Sequence, residues 1–148
     1  MKHAFIAFLL ITFFTVAVVS CSKNNSGSRP KIVLKSINTQ IPPGGGLNAV
    51  FDFTQGSAEL ANGTFAAIRI RLNQIPLPPG TTSADTLNNP IPEFPAQNKG
   101  QFQFQLDYNF LHQSDVYNDT IIFKFAAIDV AGKSSDTLTS PQIVIEHP

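Results

Sequence analysis

The chain has 148 residues, ten basic and ten acidic, a formal net charge of zero, one cysteine and no tryptophan. A lone cysteine excludes an internal disulfide, and a neutral balance lacks the basic footprint of nucleic-acid binding. The length fits one domain that holds together by its core alone.

The chain begins with Lys2 and His3, followed by an almost unbroken apolar run from Ala4 to Val19. A short basic start, an apolar stretch of about 15 residues and a small residue at the cut site are the parts of a secretory signal. The run is shorter than the ~20 residues of a comfortable membrane span. An uncleaved helical anchor and a plain secretory signal are the alternatives. Val18-Val19-Ser20-Cys21 resembles the lipobox of bacterial lipoproteins: a branched apolar residue, a tolerant position, a small residue and the lipid-bearing cysteine. That resemblance implies a signal peptide over residues 1–20, cleavage before Cys21, a diacylglyceryl thioether on its sulfur and an acylated new N-terminus. Two or more acyl chains hold a protein stably on a bilayer, where one does so only marginally. The expected membrane attachment is therefore a lipid anchor on Cys21 without a span. Loss of the signal removes Lys2 and leaves nine basic against ten acidic residues.

Residues 21–30 read as the lipidated cysteine and a flexible tether, since Ser22 to Pro30 is polar throughout. Lys23, Arg29, Lys31 and Lys35 cluster beside it. Such a cluster suits anionic headgroups, and equally keeps a linker soluble.

Residues 31–148 read as strands. Ile32 to Ile37 is the first. Leu47, Ala49, Phe51 and Phe53 alternate with Asn48, Val50, Asp52 and Thr54. Ile68, Ile70 and Leu72 alternate with Arg69, Arg71 and Asn73, which predicts the isoleucines inside and the arginines on a polar face. Phe102, Phe104, Leu106 and Tyr108 alternate with Gln101, Gln103, Gln105 and Asp107. Ile121 to Val130 is apolar on both faces, which predicts a central strand covered on much of both. Gln142 to Ile145 is the last. Pro42-Pro43-Gly44-Gly45-Gly46, Asn62-Gly63 and Ala131-Gly132-Lys133 mark turns between these runs. No segment shows helical periodicity. The expected fold is all-β: an antiparallel sandwich of about seven strands.

Phe123-Lys124-Phe125-Ala126-Ala127-Ile128-Asp129-Val130-Ala131-Gly132-Lys133-Ser134-Ser135 resembles the last hairpin of bacterial immunoglobulin-like domains. The cysteine pair and core tryptophan of antibody domains are missing. Signal and single domain together are similar to the small immunoglobulin-like lipoproteins of Bacteroidetes. The resemblance implies a Greek-key sandwich in the cell envelope, on the outer membrane. The acidic residues that often follow the cysteine in surface lipoproteins are absent from Ser22-Lys23-Asn24-Asn25, which favours the periplasmic face over the cell surface. The aspartate-rich calcium loop of such domains is not found in Thr54 to Gly63, so no calcium site is carried over.

Enzyme chemistry is thinly supplied. The histidines after the signal are His112 and His147, and the glutamates Glu59, Glu93 and Glu146 are widely spread. There is no G-x-S-x-G, phosphate-cradling glycine loop or H-E-x-x-H. The expectation is a protein that is not an enzyme, with no cofactor and no metal. A hydrolase stays as a minor alternative, because paired carboxylates need not be close in sequence. His112, Asp115 and Asp119 share one loop, but their spacing matches no known metal site.

The candidate ligand surface is Arg69, Arg71, Leu77, Ile91 and Phe94. The arginines offer planar donors for a carboxylate or sugar acid, or else pair with acids across the sheet. Gln74 to Gly100 is rich in proline, and is either a binding loop or a crossover between sheets with Phe94 packed inside. Asp85-Thr86-Leu87, Asp119-Thr120-Ile121 and Asp136-Thr137-Leu138 resemble the Asp-Ser/Thr-apolar site at which Bacteroidetes O-glycosylate exported proteins, which makes Thr86, Thr120 and Thr137 candidates. The same tripeptides also make natural strand starts. The expected function is a non-enzymatic interaction module for an envelope protein or glycan. The alternative is a structural or accessory subunit of an outer-membrane complex.

Overall fold

The computed structural model describes residues 28–73, 78–95 and 97–148. The signal segment, Cys21 and Leu77 lie outside these residues. Among the described residues nine strands and one short helix follow in order: β1 (Lys31–Ile37), β2 (Gln40–Ile41), β3 (Gly46–Thr54), β4 (Thr64–Arg71), β5 (Ala84–Pro90), β6 (Lys99–Asp107), α1 (Tyr108–Leu111), β7 (Asp119–Ile128), β8 (Leu138–Thr139) and β9 (Ile143–Ile145). The smaller sheet runs β1-β3-β6, and the larger runs β2-β9-β7-β4-β5 with β8 also on β7. All pairings are antiparallel except β2 with β9. Taking β1 with β2 and β8 with β9 as one interrupted strand each leaves seven strand positions. The order is that of an immunoglobulin-like sandwich, with β5 beside β4 rather than beside β6.

Phenylalanine holds the sheets together where antibody domains use tryptophan and a disulfide. Phe51 and Phe102 project from the smaller sheet against Phe65 and Phe125 of the larger. The Phe51 ring lies 4.9 Å from Phe125 and 5.0 Å from Phe65. Phe104 extends the cluster to Phe123, and Phe53 to Phe94. Such pairs add about 0.5–1.5 kcal/mol each beyond burial, which helps a disulfide-free domain.

One expected face is corrected. In β4 the inward row is Phe65, Ala67, Arg69 and Arg71, and the outward row includes Ile68 and Ile70. Phe65 sits in the aromatic cluster and sets the parity of the strand, so the isoleucines face out and the arginines face in. In β7 the inward row is Asp119, Ile121, Phe123, Phe125 and Ala127. Its other row, with Ile122, Ala126 and Ile128, is half-buried, and the strand is central in the larger sheet as expected.

The resembled hairpin is built by local hydrogen bonds. Asp129 Oδ1 accepts from the amides of Ala131 and Lys133, and Gly132 takes the left-handed φ of 79° that closes the turn. Ser135 and Ser140 accept the amides of Ala127 and Phe123 where the last strand is interrupted. The Pro-rich segment is partly β5, an edge strand that ends at Pro90, and partly a crossover to the other sheet.

Candidate functional site

The two ends of the sandwich differ in how their polar groups are used. At one end, Arg69 grips Asp85 with both faces of its fork, Nε to Oδ1 at 2.8 Å and Nη2 to Oδ2 at 2.7 Å. Its Nη1 donates to the Phe110 carbonyl, and its guanidinium lies 4.6 Å over the Phe110 ring. Arg71 donates to Asp119 at 2.8 Å and to the Leu111 carbonyl at 3.1 Å. The arginines thus cap the last carbonyls of α1, where a positive charge suits the helix end. Burial pulls the Arg71 guanidinium below its ordinary value and Asp119 pushes back. Asp119 Oδ2 also accepts the amides of Gln113 and Ser114, which fixes the loop after α1.

Arg69 is spent on these contacts, and the Arg71 Nε, unpartnered among the described residues, is buried away from any ligand. Arg69 is 3% exposed and Arg71 8%. Ile91 is 2% exposed, and Phe94 is half-buried on Phe53. Ile91 bonds to Gly63 just before β4, whereas Arg71 ends that strand. The two lie about 25 Å apart along it. The expected surface is therefore not one surface among the described residues. His112 stacks on Tyr108 at 5.1 Å, Asp115 is exposed and Asp119 is taken by Arg71. Among the described residues no three His, Cys, Asp or Glu side chains gather to hold a metal.

Asp85 and Asp119 open two of the three Asp-Thr-apolar tripeptides and are the partners of Arg69 and Arg71. Those two aspartates thus have a structural use. Thr86 and Thr137 are exposed, while Thr120 is half-buried.

The opposite end carries a cleft of about 730 Å³. Gln55, Glu59, Ala61 and Asn62 from the β3–β4 connection form one wall, and Glu93, Phe94, Pro95, Gln97 and Asn98 from the β5–β6 connection form the other. Both connections pass from one sheet to the other, which is why they face each other. Two pairs of hydrogen bonds tie them: Asn62 N to Ile91 O with Ile91 N to Gly63 O, and Gln55 N to Asn98 O with Gln55 Nε2 to Gln97 O. Leu60 and Ile91 are buried beneath. Asn62 holds φ at 60°, a conformation asparagine tolerates, and its turn closes with Gly63 N on Leu60 O.

The side chains of Glu59, Asn62, Glu93 and Asn98 make no hydrogen bond or ion pair among the described residues. Two of the chain's three glutamates thus meet in one place although 34 positions apart. Of this cleft the sequence pointed to one wall, through the Gln74–Gly100 segment and Phe94 in it, and not to the wall from the β3–β4 connection. The rest depends on two crossovers meeting at one end, for which no local pattern exists.

The chain is an all-β, immunoglobulin-like two-sheet sandwich with a polar cleft at one end. Among the described residues no helix is long and apolar enough to cross a membrane. Compared with family models, curated proteins and solved structures, the chain finds no match.

Proposed function

We propose that the chain is a lipid-anchored envelope protein whose sandwich is a non-enzymatic interaction module for a protein or glycan. One observation carries this reading: the arginines of one end are spent on internal ion pairs, while Glu59, Asn62, Glu93 and Asn98 of the cleft are unspent. Polar side chains left unpaired in a preformed concavity are what a binding partner can satisfy. Both cleft carboxylates are exposed. Acid catalysis by a carboxyl generally needs the desolvation that they lack, which favours holding over hydrolysis.

The lipobox at Val18 to Cys21 supports the anchor and an outer-membrane location, with the periplasmic face favoured. Mature protein from the native host should weigh a chain beginning at Cys21 plus lipid; an unmodified Cys21 would contradict this. O-glycosylation adds further mass, expected at Thr86 and Thr137 before half-buried Thr120. A mass equal to chain plus lipid alone overturns the modification. Full-length protein immobilised from detergent-solubilised envelopes should retain a component that the Glu59→Gln/Glu93→Gln variant releases. Equal retention by both, or by neither, overturns the cleft as the contact.

A specific observation favours the second reading, a structural or accessory subunit. The outward rows of β4 and β7 place Ala66, Ile68 and Ile70 beside Ile122, Ala126 and Ile128, with Lys124 their one charge. A half-buried apolar sheet face of this kind suits packing against another subunit.

A further inference from the structure

We propose that the cleft between the β3–β4 and β5–β6 connections takes a neutral oligosaccharide, an inference that rests on the reading of the domain as an interaction module. The ring of Phe94 lines the cleft and is fixed by Phe53, 4.6 Å behind it at 35°. A fixed, half-buried ring offers an apolar platform to the C–H face of a sugar ring at little entropic cost. Around it stand Asn62, Gln97 and Asn98, with Glu59 and Glu93. A sugar hydroxyl both donates and accepts. Carboxylates accept a hydrogen bond from it, and amides serve either role.

The lining also excludes other ligand classes. Among the described residues it contains two carboxylates and no lysine, arginine or histidine, a lining that disfavours phosphates, sulfates and sugar acids. The arginines that suit an acidic sugar are committed to Asp85 and Asp119 at the far end. Phe94, Pro95 and Ala61 are its only apolar lining residues among the described residues, too few to enclose an apolar ligand. A basic peptide would answer the two carboxylates but would leave the amides and the ring platform largely unused. The volume of about 730 Å³ lies within the range of small-molecule sites and admits more than one sugar ring. Hydrogen bonds between the two walls form the cleft before binding, which lowers the ordering cost.

The test uses the full chain in detergent micelles against an array of neutral oligosaccharides, uronic-acid oligosaccharides and Arg/Lys-rich peptides, with binders titrated by calorimetry. At least one neutral oligosaccharide should bind, and should still bind in about 1 M salt, where charge interactions are screened beyond about 3 Å. Glu93→Gln and Asn98→Ala, both exposed positions, should each weaken it about tenfold or more with melting unchanged. Phe94→Leu, which keeps apolar bulk on Phe53, should weaken it likewise, with a small loss of melting temperature from the lost ring pair. The inference is overturned if no neutral oligosaccharide binds, if these variants bind as well as wild type, or if only basic peptides bind and salt releases them. Should the array stay empty while immobilised protein still captures an envelope component, the sugar assignment fails and the interaction module stands. Should both be negative, both fall.

Discussion

Asp119 is fully buried and satisfies three donors: the Arg71 guanidinium and the amides of Gln113 and Ser114. Breaking a buried pair leaves an uncompensated charge, which costs about 3–5 kcal/mol, whereas replacing both partners with apolar groups is often neutral. Asp119→Ala should therefore lower the urea midpoint sharply, and Arg71→Met combined with Asp119→Leu should recover much of the loss. A single variant that melts like wild type would contradict this role. Tyr108 makes a second prediction. Its hydroxyl donates to the Glu146 carbonyl at 2.6 Å, and desolvation, then Asp119 and Glu146, hold it above its ordinary value of 10.0. The unfolded phenol ionises first, so the contribution is whole below about pH 10 and is lost as pH rises through the folded value. Wild type should lose more stability than Tyr108→Phe above about pH 10, and parallel curves would refute it.

Among the elements, β4 shows how far a local pattern reaches. Its Ile-Arg alternation gives the strand and its period but not which row faces in. Parity is fixed at Phe65 and by carboxylates on β5 and β7 that lie far along the chain. β3, β6 and β7 were legible because their phenylalanines all fall on one face. β5 was not, since its edge position asks for little apolar content and its sequence has almost none. The turn entering β4 has its own test. A Cβ at Gly63 would run into the carbonyl oxygens of Ile128 and Leu60, and Gly63 O receives Ile91 N at the base of the cleft. Gly63→Ala should cost about 1–3 kcal/mol by thermal melting, as overpacking does. A neutral result would mean the turn can move away freely.

In the whole molecule, the aromatic core ties the sheets, the paired end locks α1 and its loop, and the other end leaves a framed polar cleft. The fold class was legible from period-two runs and turns. The cleft was not, because Glu59 and Glu93 become neighbours only through two crossovers between sheets. The two functional readings assign different surfaces, the cleft or the outward face of the larger sheet. Hydroxyl-radical footprinting of the full chain in micelles, with and without native envelope extract, tests this most directly. The account predicts protection at Glu59, Glu93, Phe94 and Pro95 with Ile68, Ile70 and Ile122 unchanged. Protection of those isoleucines with the cleft left open would contradict it.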